Sequence, residues 1–121
     1  MRTFVAILAL SAVALALTVT GEAKTQGTIQ LTGTVGPGFT ITLKSRTKVV
    51  KTLSPAKYAF VINDKSNIHN FHLTGPGVNK KTTVGGTGTT HWTITLRAGT
   101  YNYVCDPHKS SMHGRFIVRA P

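Results

Sequence analysis

The stretch YVCDPHKSSMHG, residues 103–114, gathers the only cysteine of the chain, Cys105, with His108, Met112 and His113. Thiolate, imidazole and thioether are donors for transition metals, and a thiol beside an imidazole can also be a nucleophile with its base. Spacing narrows the choice. Pro107 stops regular structure directly after Cys105, so His108 and Met112 belong to a tight loop before the run GRFIVR. Such a loop can curl its side chains round one centre, but it cannot bring in a ligand from another strand.

The run IHNFHL offers that ligand. His69 stands at the mouth of a strand whose inward residues are Phe71 and Leu73, so its side chain points their way from the strand's end. One thiolate (Cys105), two imidazoles (His69 and His108) and one weak thioether (Met112) make up the set that holds copper in a trigonal site with a long axial bond. Zinc could take the same thiolate and imidazoles. His72 alternates with Phe71 and Leu73 and His91 opposes Trp92 and Ile94, so both read as exposed strand residues. Catalysis by Cys105 with His108 as base fits poorly, because the intervening pair includes a proline and no oxyanion arrangement is evident. The chain reads as a protein that is not an enzyme.

The elements that must position these residues are strands. Alternation of apolar and polar residues runs through TIQLTGTV, FTITLKSRTK, YAFVIND, HNFHL, HWTITL, YNYVC and GRFIVR. In the second of these, Phe39, Ile41 and Leu43 make an apolar face and Lys44, Arg46 and Lys48 a basic stripe. Gly36-Pro37-Gly38, Ser54-Pro55, Gly75-Pro76-Gly77, Gly85-Gly86 and Ala98-Gly99 separate the runs, and Thr82 to Thr90 reads as a long surface connection. Seven to eight short strands without a convincing helix predict an all-β, Greek-key β-sandwich.

Residues 1–23 read differently. Met1-Arg2, the apolar run Phe4 to Val19 and the small residues up to Ala23 make an export signal cut after Ala23; retention as a membrane anchor is the alternative. The remainder, residues 24–121, is long enough for one domain with a modest core. A lone cysteine cannot pair within its own chain, so Cys105 is spare or does chemistry. Removing Arg2 and Glu22 leaves 13 Lys and Arg against Asp64 and Asp106, a charge of +11 with histidines neutral. This balance favours acidic protein partners, anionic surfaces or cell-wall polymers. Export and the lack of any nucleic-acid-binding signature argue against nucleic acid. The expected molecule is a monomer outside the cytoplasm, periplasmic, wall-associated or secreted, with no transmembrane segment after cleavage.

His69-Asn70, followed by YVCDPHKSSMHGRFIV, resembles the cupredoxins, the blue copper proteins, most closely of the plastocyanin and azurin type. In that family an asparagine commonly follows the first histidine, and Cys, His and Met follow in order before a closing strand. Two residues separate Cys105 from His108, as in plastocyanin-like members, and three separate His108 from Met112, as in azurin-like ones. His113 is the rival of Met112, although the MHG turn resembles the family's Met-x-Gly. The resemblance implies one copper ion on His69, Cys105, His108 and Met112, with Asn70 buttressing the ligand loops. It further implies outer-sphere electron transfer, with Cys105 as the dominant electronic contact and His108 as the route in and out. A copper carrier or store would use the same ligands and release the metal.

Overall fold

The computed structural model describes residues 13–22 and 27–121; the expected cleavage position, Ala23, and the apolar residues before Val13 lie outside them. Residues 13–22 form no regular structure, and none of the described helices is long and apolar enough to cross a membrane. From residue 29 onward the chain is nearly all β: β1 (Ile29–Val35), β2 (Ile41–Ser45), β3 (Lys48–Val49), β4 (Thr52–Leu53), β5 (Ala56–Asp64), β6 (His72–Gly75), β7 (Val78–Lys81), β8 (Gly88–Leu96), β9 (Gly99–Val104) and β10 (His113–Val118).

Two five-stranded sheets result, in the orders β3-β2-β1-β5-β8 and β4-β10-β9-β6-β7. β1 pairs in parallel with β5 and β10 with β4, and the remaining pairs are antiparallel. The predicted sandwich is thus observed, with short β3, β4 and β7 added to the runs that alternation marks. Alternate residues of the longer strands face inward: Leu31 and Val35 from β1, Tyr58, Phe60 and Ile62 from β5, Tyr101 and Tyr103 from β9, and Phe116 and Val118 from β10 are all buried. Each large apolar side chain so removed from water contributes roughly 1.5–3 kcal/mol before conformational entropy is counted. Tyr101 stacks on Phe116 and Phe71 on Tyr103, with ring centroids 5.1 and 5.5 Å apart.

One edge of the apolar pattern departs from expectation. Phe39 does not continue the inward face of β2, which begins at Ile41; the ring is 60% exposed. Gly36, at φ +71°, turns the chain after β1, and a Cβ there would lie 2.9 Å from Ser66 Cβ and 3.3 Å from the His69 ring. The turn therefore requires glycine for both its backbone and its closeness to His69. It carries Phe39 out of the sheet to the end of the sandwich where β1, β5 and β9 finish.

Candidate metal centre

Three segments meet at that end. β9 delivers Cys105, which is fully buried. The chain then enters a single 3-10 turn, Asp106–His108, with Pro107 in its first positions, where the missing N–H costs nothing. The loop closes on itself: Cys105 N donates to Met112 O (3.0 Å), His108 N to Cys105 O (3.0 Å) and Met112 N to His108 O (2.8 Å). These bonds return Met112 beside Cys105 before β10 starts. The third segment, between β5 and β6, carries His69, which is fully buried.

His69 Nδ1 and His108 Nδ1 are 3.1 Å apart, and Cys105 Sγ lies 3.6 Å from the first and 3.5 Å from the second. Among the described residues these three are the one group of His, Cys, Asp or Glu donors close enough to share an ion. A point equidistant from atoms so spaced is about 2.0 Å from each, against bond lengths of about 2.0–2.1 Å for metal to imidazole and about 2.3 Å for metal to thiolate. The donors therefore fit a transition metal with no large movement. Met112 is fully buried, whereas its rival His113 lies on β10 with its side chain exposed. His91 is exposed on β8, as its alternation predicts.

Phe39 covers the pair of imidazoles from outside. Its ring stands edge-on to His69 (centroids 5.2 Å apart) and to His108 (4.9 Å). Its place in the site is not visible in the alternation of FTITLKSRTK; the preceding Gly-Pro-Gly turn is the signal that the strand face does not extend so far.

Polar side chains tie the ligand segments together. Asn70, buried, accepts from Asp106 N through Oδ1 (2.7 Å) and donates through Nδ2 to Asp106 Oδ2 (2.8 Å) and Thr82 O (3.3 Å). The residue after His69 thereby holds the residue after Cys105. Thr82 also accepts from Phe71 N through Oγ1 (2.9 Å), so the start of the expected surface connection is bound to the ligand segment. His72 faces away from the core as predicted, but it is half-buried rather than exposed. Its Nδ1 lies 2.8 and 3.1 Å from the two Asp106 carboxylate oxygens, and its Nε2 lies 2.7 Å from Asn79 Oδ1.

The two carboxylates near the site differ. Burial would raise the Asp106 carboxyl, but hydrogen bonds from His72 and Asn70 and the positive charge of His72 and Lys109 outweigh it and hold it below the ordinary range. Asp64 is pushed up by burial, which the bond from Ser66 N (3.0 Å to Oδ1) and the charge of His69 offset only in part. Asp64 Oδ2 and His69 Nε2 are both buried without a hydrogen-bond partner among the described residues.

The sequence between residues 7 and 118 matches the profile of the cupredoxin-like domain family. This chain belongs to the cupredoxin-like family. Its fold is shared by several structures of rusticyanin, a copper protein. A methionine-to-glutamine variant of rusticyanin aligns with a TM-score of 0.58 at 21% identity, over 76% of this chain and 78% of that one. Reduced rusticyanin gives 0.56 at 24% identity, over 76% and 79%. Rusticyanin from Thiobacillus ferrooxidans gives 0.55 at 25% identity, over 76% and 77%. No curated protein sequence is significantly similar to this cupredoxin.

Proposed function

We propose that this cupredoxin is an exported type 1 copper protein that carries electrons. His69, Cys105 and His108 are the strong ligands and Met112 the weak axial one. The observation that carries this reading is the triangle of two Nδ1 atoms and one Sγ, each within 3.6 Å of the others, contributed by segments 36 residues apart. Met112, fully buried and accepting from Cys105 N through its carbonyl, offers a thioether to the site, which favours copper over zinc, whose structural sites use nitrogen, oxygen and thiolate donors. Copper, when bound, supplies a one-electron couple. The part of the protein is to keep its donors in one arrangement acceptable to both oxidation states, so that little moves when an electron arrives. Two sheets and the self-closed 105–112 loop supply that rigidity.

His108 is only half-buried, which makes its imidazole the short route between the centre and a docked protein. The excess of 14 Lys and Arg over 3 Asp and Glu favours an acidic redox partner. Export is supported by the apolar N-terminal side chains: Val13, Leu15, Leu17 and Val19 stand more than 80% exposed and take no part in the core. The test is the absorption spectrum of the copper(II)-loaded protein. Intense visible colour from thiolate-to-copper charge transfer is expected, and a colourless copper adduct would sink the proposal. Electron exchange with acidic proteins faster than copper release to a chelator would then separate carriage from storage.

A further inference from the structure

We infer that His72 is a positioning residue for the metal centre, acting through Asp106. Asp106 is the pivot of the ligand loop: it directly follows Cys105 and opens the 3-10 turn that ends at His108. Its backbone N–H is fixed by Asn70, while its carboxylate is held from two directions, by Asn70 Nδ2 and by His72 Nδ1. His72 is anchored in turn on the far side, where its Nε2 meets Asn79 Oδ1 on β7. A continuous strap therefore runs from the edge strand β7 through β6 to the loop that carries two of the strong ligands and Met112, and from there through Asn70 to the remaining strong ligand, His69.

The geometry gives each member a distinct task. Asn70 sets the separation of the two ligand segments. His72 sets the direction of the Asp106 carboxylate, which is part-exposed and without that imidazole would turn toward water. Because Asn70 also binds this carboxylate, such a turn loosens the bond that registers His69 against Cys105. Groups hydrogen-bonded directly to a metal ligand typically change metal affinity by about 10- to 100-fold when lost; His72 bonds Asp106, the chain neighbour of Cys105, so its effect belongs at the lower end of that range.

This inference rests on the copper-site reading, and one experiment keeps the two apart. Copper(I) affinity by chelator competition, the visible band of the copper(II) form and metal-free thermal unfolding are measured for the full chain and for H72L, H72Q, D106A and the H72L/D106A pair. H72L is expected to weaken copper binding about 10-fold and to move the band. H72Q, whose amide can still donate to Asp106, is expected to recover most of the loss. In the D106A background H72L should add nothing, because the path runs through Asp106. The metal-free amide spectrum gives an independent readout: the Asn70 side-chain NH2 should shift in H72L and return in H72Q. Should H72L fail to fold, N79A, which removes only the outer anchor, is measured in its place and should show the same effects more weakly. Equal losses from H72L with and without Asp106, or affinity and spectrum in H72L equal to those of a wild type that does bind copper, would overturn the inference. Failure of the wild type to bind copper would instead overturn the reading beneath it.

Discussion

The ring of Phe39 lies 4.9 Å from that of His108 at an interplanar angle of 88°, so an exposed aromatic forms the outer wall of the proposed centre. An edge-to-face contact of this kind is worth about 0.5–1.5 kcal/mol beyond area burial, a modest share of stability for a ring that is mostly in water already. Its larger effect is to exclude solvent from the imidazoles. Phe39→Ala is therefore expected to change the unfolding midpoint little and to speed copper loss to a chelator several-fold, measured by stopped-flow decay of the visible band. Unchanged release kinetics would show that the ring is no barrier.

Cys105→Ser tests the thiolate itself. The hydroxyl fits the buried pocket but enters it as a polar group with imidazole neighbours, so the metal-free protein should lose about 1–3 kcal/mol at most. A ligand that binds only the folded state raises stability in proportion to the logarithm of its concentration over Kd. Added copper should accordingly raise the melting temperature of the wild type and leave that of the serine variant nearly unchanged, with the charge-transfer band absent.

The parts of this molecule that can be read in one dimension are those governed by a fixed period or by neighbours in sequence. Period-two alternation marks β1, β5, β8, β9 and β10, where one face meets the core and the other meets water. Cys105, His108 and Met112 lie in one loop, so their convergence follows from loop closure. His69 is found only because its strand points at the same end. Phe39 escapes because a Gly-Pro-Gly turn lifts it out of a pattern that continues without interruption in the letters. The partnership of His72 with Asp106 joins residues 34 apart on the outer side of a sheet, where alternation says only that the side chain avoids the core. Short β3, β4 and β7 owe their pairing to neighbours rather than to any pattern of their own.

Asn70 offers a stability test independent of metal. Truncation to alanine removes the acceptor of Asp106 N and the donor to Asp106 Oδ2 and Thr82 O, all at a position 1% exposed. Leaving buried polar groups unpaired costs about 1–3 kcal/mol for each group so orphaned, and water can reach only some of these. Asn70→Ala should therefore destabilise the metal-free domain by about 2–4 kcal/mol in chemical denaturation. A loss below about 1 kcal/mol would mean that the network rearranges around the gap.

Asp64 and Asp106 push the pH dependence of stability in opposite directions. The Asp106 carboxyl is held below its ordinary value in the folded protein, so its contribution is present above the unfolded carboxylate value of about 3.9 and is lost as pH falls through the folded one. Asp64 is raised by burial, so its favourable contribution exists only in acid and disappears as pH rises through its folded value; at neutral pH its charge is a burden. Asp64→Asn keeps an oxygen for Ser66 N while removing that charge. It should stabilise the metal-free protein at pH 7, with the gain vanishing below the unfolded carboxylate range. Asp106→Asn should do the reverse, destabilising at pH 7 and converging on the wild type in acid. Denaturation midpoints across the acid range would check both, and curves for the two variants that run parallel to the wild type would rule out this assignment of the charges.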